Sequence, residues 1–140
     1  MRKTLWLLTG VVLTSTLIAG PIAVPALAGK PSGSSGSTFK LVVLDSTDGV
    51  AHYGKQVTFE VSTTATDKPM VKLDCYQGTT YVYWSSAGFY ADYPWPWARN
   101  FTLNSSYWTG GAADCIAELY YTKDGRRFTT LSKINFHAEA

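Results

Sequence analysis

From Phe39 onward, apolar and polar residues alternate with a period of two, the mark of half-buried β-strands. Phe39, Leu41 and Val43 share one face of a first strand. Val57, Phe59 and Val61 share a face of a second, backed by Thr58, Glu60 and Ser62. Val71, Leu73 and Cys75 alternate with Lys72, Asp74 and Tyr76 in a third. The segment Thr79–Ser85, TTYVYWS, is rich in aromatic and β-branched residues and reads as a fourth. Arg99, Phe101 and Leu103 alternate with Asn100, Thr102 and Asn104. Cys115, Ala117, Leu119 and Tyr121 alternate with Ile116, Glu118 and Tyr120. Phe128, Ile134 and Phe136 share parity in the last strand, where Leu131 falls out of phase and predicts a bulge or bend.

The breaks between these runs carry turn chemistry. Asp48-Gly49 and His52-Tyr53-Gly54 separate the first two strands, Gln77-Gly78 marks a tight turn, and Gly110-Gly111 precedes the Cys115 strand. Lys123-Asp124-Gly125-Arg126 is the clearest hairpin signal, because Asp-Gly accepts the positive φ values that a two-residue turn needs. A short turn fits Ser105–Trp108, and no apolar stripe of period 3.6 supports a long helix. About seven short strands in about 100 residues predict an all-β, antiparallel β-sandwich.

The first residues follow another pattern. Arg2 and Lys3 precede an apolar run from Leu5 to Ala19, and Ala26-Leu27-Ala28 is a small-x-small cleavage pattern. Residues 1–28 therefore read as a secretory signal peptide. The run is shorter than the roughly 20 residues that span a bilayer, so no membrane attachment is expected after cleavage. Residues 29–38, GKPSGSSGST, hold nothing apolar to bury and read as a flexible linker, which leaves 39–140 as one domain. Cleavage lowers the Lys plus Arg count from twelve to ten, equal to the ten acidic residues. The mature chain is then neutral, with no basic stripe to attract nucleic acid.

Two segments carry a family likeness. GKQVTFEVST, Gly54–Thr63, resembles the second strand of secreted bacterial immunoglobulin-like modules. GGAADCIAELYY, Gly110–Tyr121, followed by the Asp124-Gly125 hairpin, resembles their last strand pair. The resemblance implies an immunoglobulin-like β-sandwich over 39–140. Two departures from the antibody pattern stand out: the Val57 strand has no cysteine, and Ala113 replaces tyrosine two residues before Cys115. Cys75 and Cys115 are the only cysteines, and in an exported chain they are expected to pair. If they occupy the third and sixth strands of an immunoglobulin-like order, the bridge joins neighbouring strands of one sheet.

Candidate chemistry is sparse. His52 and His137, the only histidines, sit in no nucleophile motif, and Ser85-Ser86-Ala87-Gly88 is not a nucleophile elbow. Asp74 and Glu118, with Lys72, read as a solvated charge cluster and not as paired catalytic carboxylates. Asp45 and Asp48 lack the spacing of a calcium loop. Asn100 and Asn104 head glycosylation sequons. No catalysis, metal or cofactor is expected.

The aromatic stretch AGFYADYPWPWARNF, Ala87–Phe101, is what remains. Phe101 shares parity with Leu103 and should point inward; Trp84 and Phe89 also read as core. Tyr90, Tyr93, Trp95 and Trp97 are interleaved with Pro94 and Pro96, which exclude a central strand and favour an extended surface loop. The rings either fold back as a lid, as the usual burial of tryptophan favours, or form a contact surface. The functional expectation is a secreted, non-catalytic module that mediates extracellular binding or adhesion through this loop, with an extracellular protein or polysaccharide as partner. The alternative is a carbohydrate-binding module that stacks the rings on an external polysaccharide.

Overall fold

The computed structural model describes residues 32, 33 and 36–140, so the signal-peptide segment and half of the 29–38 linker lie outside the described residues. Among the described residues nine strands appear in chain order: β1 Ser32–Gly33, β2 Ser37–Val43, β3 Ala51–His52, β4 Gln56–Thr63, β5 Met70–Gln77, β6 Thr80–Gly88, β7 Phe101–Thr102, β8 Ala113–Lys123 and β9 Arg127–Glu139. They form two sheets. The larger runs β1-β9-β8-β5-β6, with β3 pairing parallel to β9; the smaller runs β2-β4-β7. Every other pairing is antiparallel. No helix among the described residues is long and apolar enough to cross a membrane.

Alternation placed the long strands well. Val57, Phe59, Val71, Leu73, Cys75, Cys115, Ala117 and Leu119 are all buried, as their parity requires. Both sheets contribute to one core. Phe59 is its aromatic centre, with ring centroids 5.1 Å from Phe39 and 5.5 Å from Phe101. Trp108 is completely buried, donates its indole N–H to the Gly111 carbonyl at 3.0 Å, and packs against Tyr53 and Tyr83. The Ser105–Trp108 turn closes with a bond from the Trp108 amide to the Ser105 carbonyl. The Asp124-Gly125 hairpin has the expected positive φ at both residues, 56° and 67°.

The departures have backbone causes. Strand β2 begins at Ser37, so Ser37 and Thr38 are strand where the sequence reads as linker, and Ser32–Gly33 pairs with β9. Pairing to a sheet edge uses only main-chain groups, so these residues need no apolar side chain to join it. Arg99–Leu103 reduces to the two-residue β7, because Pro96–Arg99 forms a single 3₁₀ turn with Pro96 in its first turn. The bulge expected at Leu131 is present: Ser132 pairs Leu119 and Thr130 pairs Tyr120, leaving Leu131 without an opposite residue. One extra residue inverts parity beyond it. Phe128, expected inward, is therefore exposed, and its ring lies 5.5 Å from that of Tyr120.

Cys75 and Cys115 form a disulfide, directly opposite each other in the β5–β8 register with Cα atoms 4.1 Å apart. Both are buried. The bridge is thus cross-strand, within the larger sheet, as the immunoglobulin-like order implied.

Candidate functional site

The chain leaves β6 at Gly88 and enters the aromatic loop. Gly88 is buried because rings close over it: a Cβ there would collide with the Tyr93 ring and come within 2.7 Å of Tyr90 Cε1. Arg99 then clamps the loop from its far end. Its Nε donates to the Gly88 carbonyl at 2.9 Å, its Nη2 donates to the Tyr90 carbonyl, and its guanidinium lies 5.8 Å from the Phe89 ring centre. The Thr58 hydroxyl donates to the Arg99 carbonyl at 2.7 Å, which ties the loop to β4 of the other sheet. Within the loop the Ala98 amide bonds to the Trp95 carbonyl, and the Tyr93 ring sits 5.5 Å from Tyr90 and 5.8 Å from Trp95.

This clamp sorts the rings. Phe89, Tyr93 and Ala98 pack against the core, and Phe101 is fully buried. Trp95 and Trp97 stay 54% and 72% exposed. The lid expected from tryptophan's usual burial is not formed by these two residues; Phe89 and Tyr93 fold inward in their place. Tyr90 and Tyr93 are half-buried, so of the four candidate residues Trp95 and Trp97 carry most of the loop's open aromatic surface.

A second aromatic group went unrecognised in the sequence. Trp84, expected in the core, is 55% exposed. The cause is a bulge in β6. Cys75 pairs Tyr83 and Tyr76 pairs Tyr81, so Val82 is the extra residue, and Val82 and Tyr83 are both buried. Tyr81 and Trp84 are then left together on the outer face. Their rings are 5.5 Å apart at 24°, Tyr76 lies 5.0 Å from Tyr81, and Tyr107, 65% exposed, lies 5.6 Å from Trp84. Four large residues in succession, Tyr81 to Trp84, give this strand no alternation from which to assign a face, so the bulge carried no clear signal in the sequence.

Beside this row runs a chain of polar contacts. Lys133 Nζ approaches Glu118 Oε1 at 2.6 Å, Lys72 Nζ lies 3.8 Å from Glu118 Oε2 and 3.1 Å from Asp74 Oδ2, and the Tyr81 hydroxyl donates to Asp74 Oδ1. Asp74 and Glu118 do fall on adjacent strands with Lys72 between them, as expected, but Asp74 is buried and not solvated. Desolvation, then the bond to Asp74, push the Tyr81 phenol well above its ordinary range, so it stays a neutral donor. The Asp74 carboxylate raises the Lys72 ammonium.

Compared with protein-family models, curated proteins and solved structures, the chain has no match. The site is therefore read from its geometry alone.

The histidines stand apart from both aromatic groups. His52 bonds Asp48 at 3.0 Å and His137 bonds Asp114 at 2.7 Å. Asp48 is occupied by its own turn, accepting from the Ser46 hydroxyl and the Val50 amide. Among the described residues no group of three or more His, Cys, Asp or Glu is placed to hold a metal.

Proposed function

We propose that this chain is a secreted, immunoglobulin-like module without catalytic activity that attaches to an extracellular protein through the Tyr90–Trp97 loop. The observation that carries the reading is the exposure of Trp95 and Trp97 on a loop pinned at both ends by Arg99. Indoles carried on a pinned backbone offer large contact area without the loop having to be ordered on binding, which is the character of interface anchors. The strand order supports the family likeness. β2-β4-β7 corresponds to the A-B-E sheet and β9-β8-β5-β6 to the G-F-C sheet extended by one strand. A disulfide between the C- and F-equivalent strands suits an oxidising compartment outside the cell.

The test compares wild type with the Trp95→Ala/Trp97→Ala double variant. Binding is measured to immobilised collagen, fibronectin and fibrinogen and to the surface of the producing cells. The expected result is saturable wild-type binding to at least one of these, weakened tenfold or more in the variant, with an unchanged thermal unfolding midpoint. Equal binding by the two proteins, or no binding by either, overturns the reading.

A further inference from the structure

Two exposed aromatic groups on one small domain raise the question of what the second is for. The row on β6 stands apart from the loop in chemistry as well as in sequence. Trp84 and Tyr107 wall a groove of about 350 Å³, at the small end of ligand sites. The rest of its lining includes Ser85, Asn104 and Ser106. Hydroxyl and amide groups line it, and no carboxylate, ammonium, guanidinium or imidazole does. A phosphate or acidic ligand would find no cation there, and a basic one no anion.

The walls are set in place by the backbone. A bulge residue has no partner in the ladder, and the Ser105 hydroxyl donates to the Val82 carbonyl at 2.5 Å. The same oxygen accepts from the amides of Tyr107 at 3.0 Å and Trp108 at 3.1 Å. One serine therefore latches the turn that carries Tyr107 onto the strand that carries Trp84. The buried indole of Trp108, next in the chain, anchors the far side. Tyr81 supports Trp84 from the other flank and is itself fixed by Asp74. The ring positions are set before any ligand arrives, which is how weakly attractive surfaces bind at useful strength.

We propose that the Trp84–Tyr107 groove is a binding site for neutral oligosaccharide. A pyranose offers an apolar face of C–H bonds and a rim of uncharged hydroxyls. The first matches an exposed indole or phenol face; the second matches Asn and Ser groups that both donate and accept. This site is independent of the proposed protein-binding loop, since no loop residue lines it.

The experiment is an NMR titration of the ¹⁵N-labelled protein with cellohexaose, xylohexaose, laminarihexaose, mannohexaose and N-acetylchitohexaose, with hexagalacturonate as the charged control. At least one neutral hexasaccharide is expected to shift the Trp84 indole N–H saturably, and hexagalacturonate is not. Trp84→Ala and Tyr107→Ala each weaken that binding at least tenfold, while Trp95→Ala/Trp97→Ala changes it less than twofold. Tyr107 is mostly exposed, so its variant keeps the test open if Trp84→Ala unfolds. The proposal falls if no neutral sugar shifts Trp84, or if the shifts fall on Trp95 and Trp97. It also falls if only the amides of Thr80–Gly88 respond, as they would to a strand added at the free edge of β6.

Discussion

At Asp48 a single side chain organises the turn before β3. Its carboxyl accepts from the Ser46 hydroxyl, the Val50 amide and the His52 ring, which together hold it far below the usual carboxylate range. His52 is raised above 6.5 by the same carboxylate. The two shifts act at opposite ends of the pH scale. The Asp48 contribution is present above 3.8 and is lost as the pH falls through its depressed value. The His52 contribution is complete below 6.5 and is lost as the pH rises through its raised value. The pair is therefore intact between about pH 4 and 6 and is lost as the pH rises through the raised His52 value. The His52 ring protons should titrate with a midpoint above 6.5 by NMR and return toward 6.5 in Asp48→Asn. At this scale the sequence was a partial guide. Phe101 was legible because strand parity alone buries it. Arg99 was not, because its partners are main-chain carbonyls, which carry no residue signature.

The elements that matter most are the β6 strand and the loop after it. Gly88 lies at their junction, where the Tyr93 and Tyr90 rings occupy the space a side chain would take. Gly88→Ala should lift both rings from the strand at a cost of about 1–3 kcal/mol, the usual range for overpacking. Chemical denaturation measures that cost, and a changed near-UV circular dichroism spectrum reports the displaced rings. Six runs were readable as elements from alternation and a seventh, β6, from its aromatic and β-branched composition, yet the two-residue β1 and β3 were not. Their pairing to β9 depends on main-chain groups and on where the edge lies, neither of which periodicity encodes. Both bulges mattered for the same reason. Leu131 announced itself by breaking phase but also turned Phe128 outward, and Val82 moved Trp84 from expected core to surface. A period-two reading holds only between bulges.

For the whole molecule, the Cys75–Cys115 bridge is the largest single device. It separates its ends by 40 residues, for which the chain-entropy relation gives about 4 kcal/mol. The Cys75→Ala/Cys115→Ala variant should lose about that much unfolding free energy in a denaturant titration. Such a loss is a large share of the roughly 5–15 kcal/mol typical of a domain. The all-β class and two-sheet arrangement were legible, because strand count, turn spacing and inward parity agreed with one another. Which exposed rings form a surface was not legible, since composition weighs every tryptophan alike and burial depends on the tertiary contacts of each. The bridge has one more consequence. Residues 76–114, which carry Trp84, Trp95, Trp97 and Tyr107, lie inside the covalent loop it closes. Tension applied along the chain passes from residue 75 to residue 115 through the sulfurs and bypasses that segment. A module anchored at one end and loaded at the other would extend its flanking strands while the ring-bearing segment stayed unstretched.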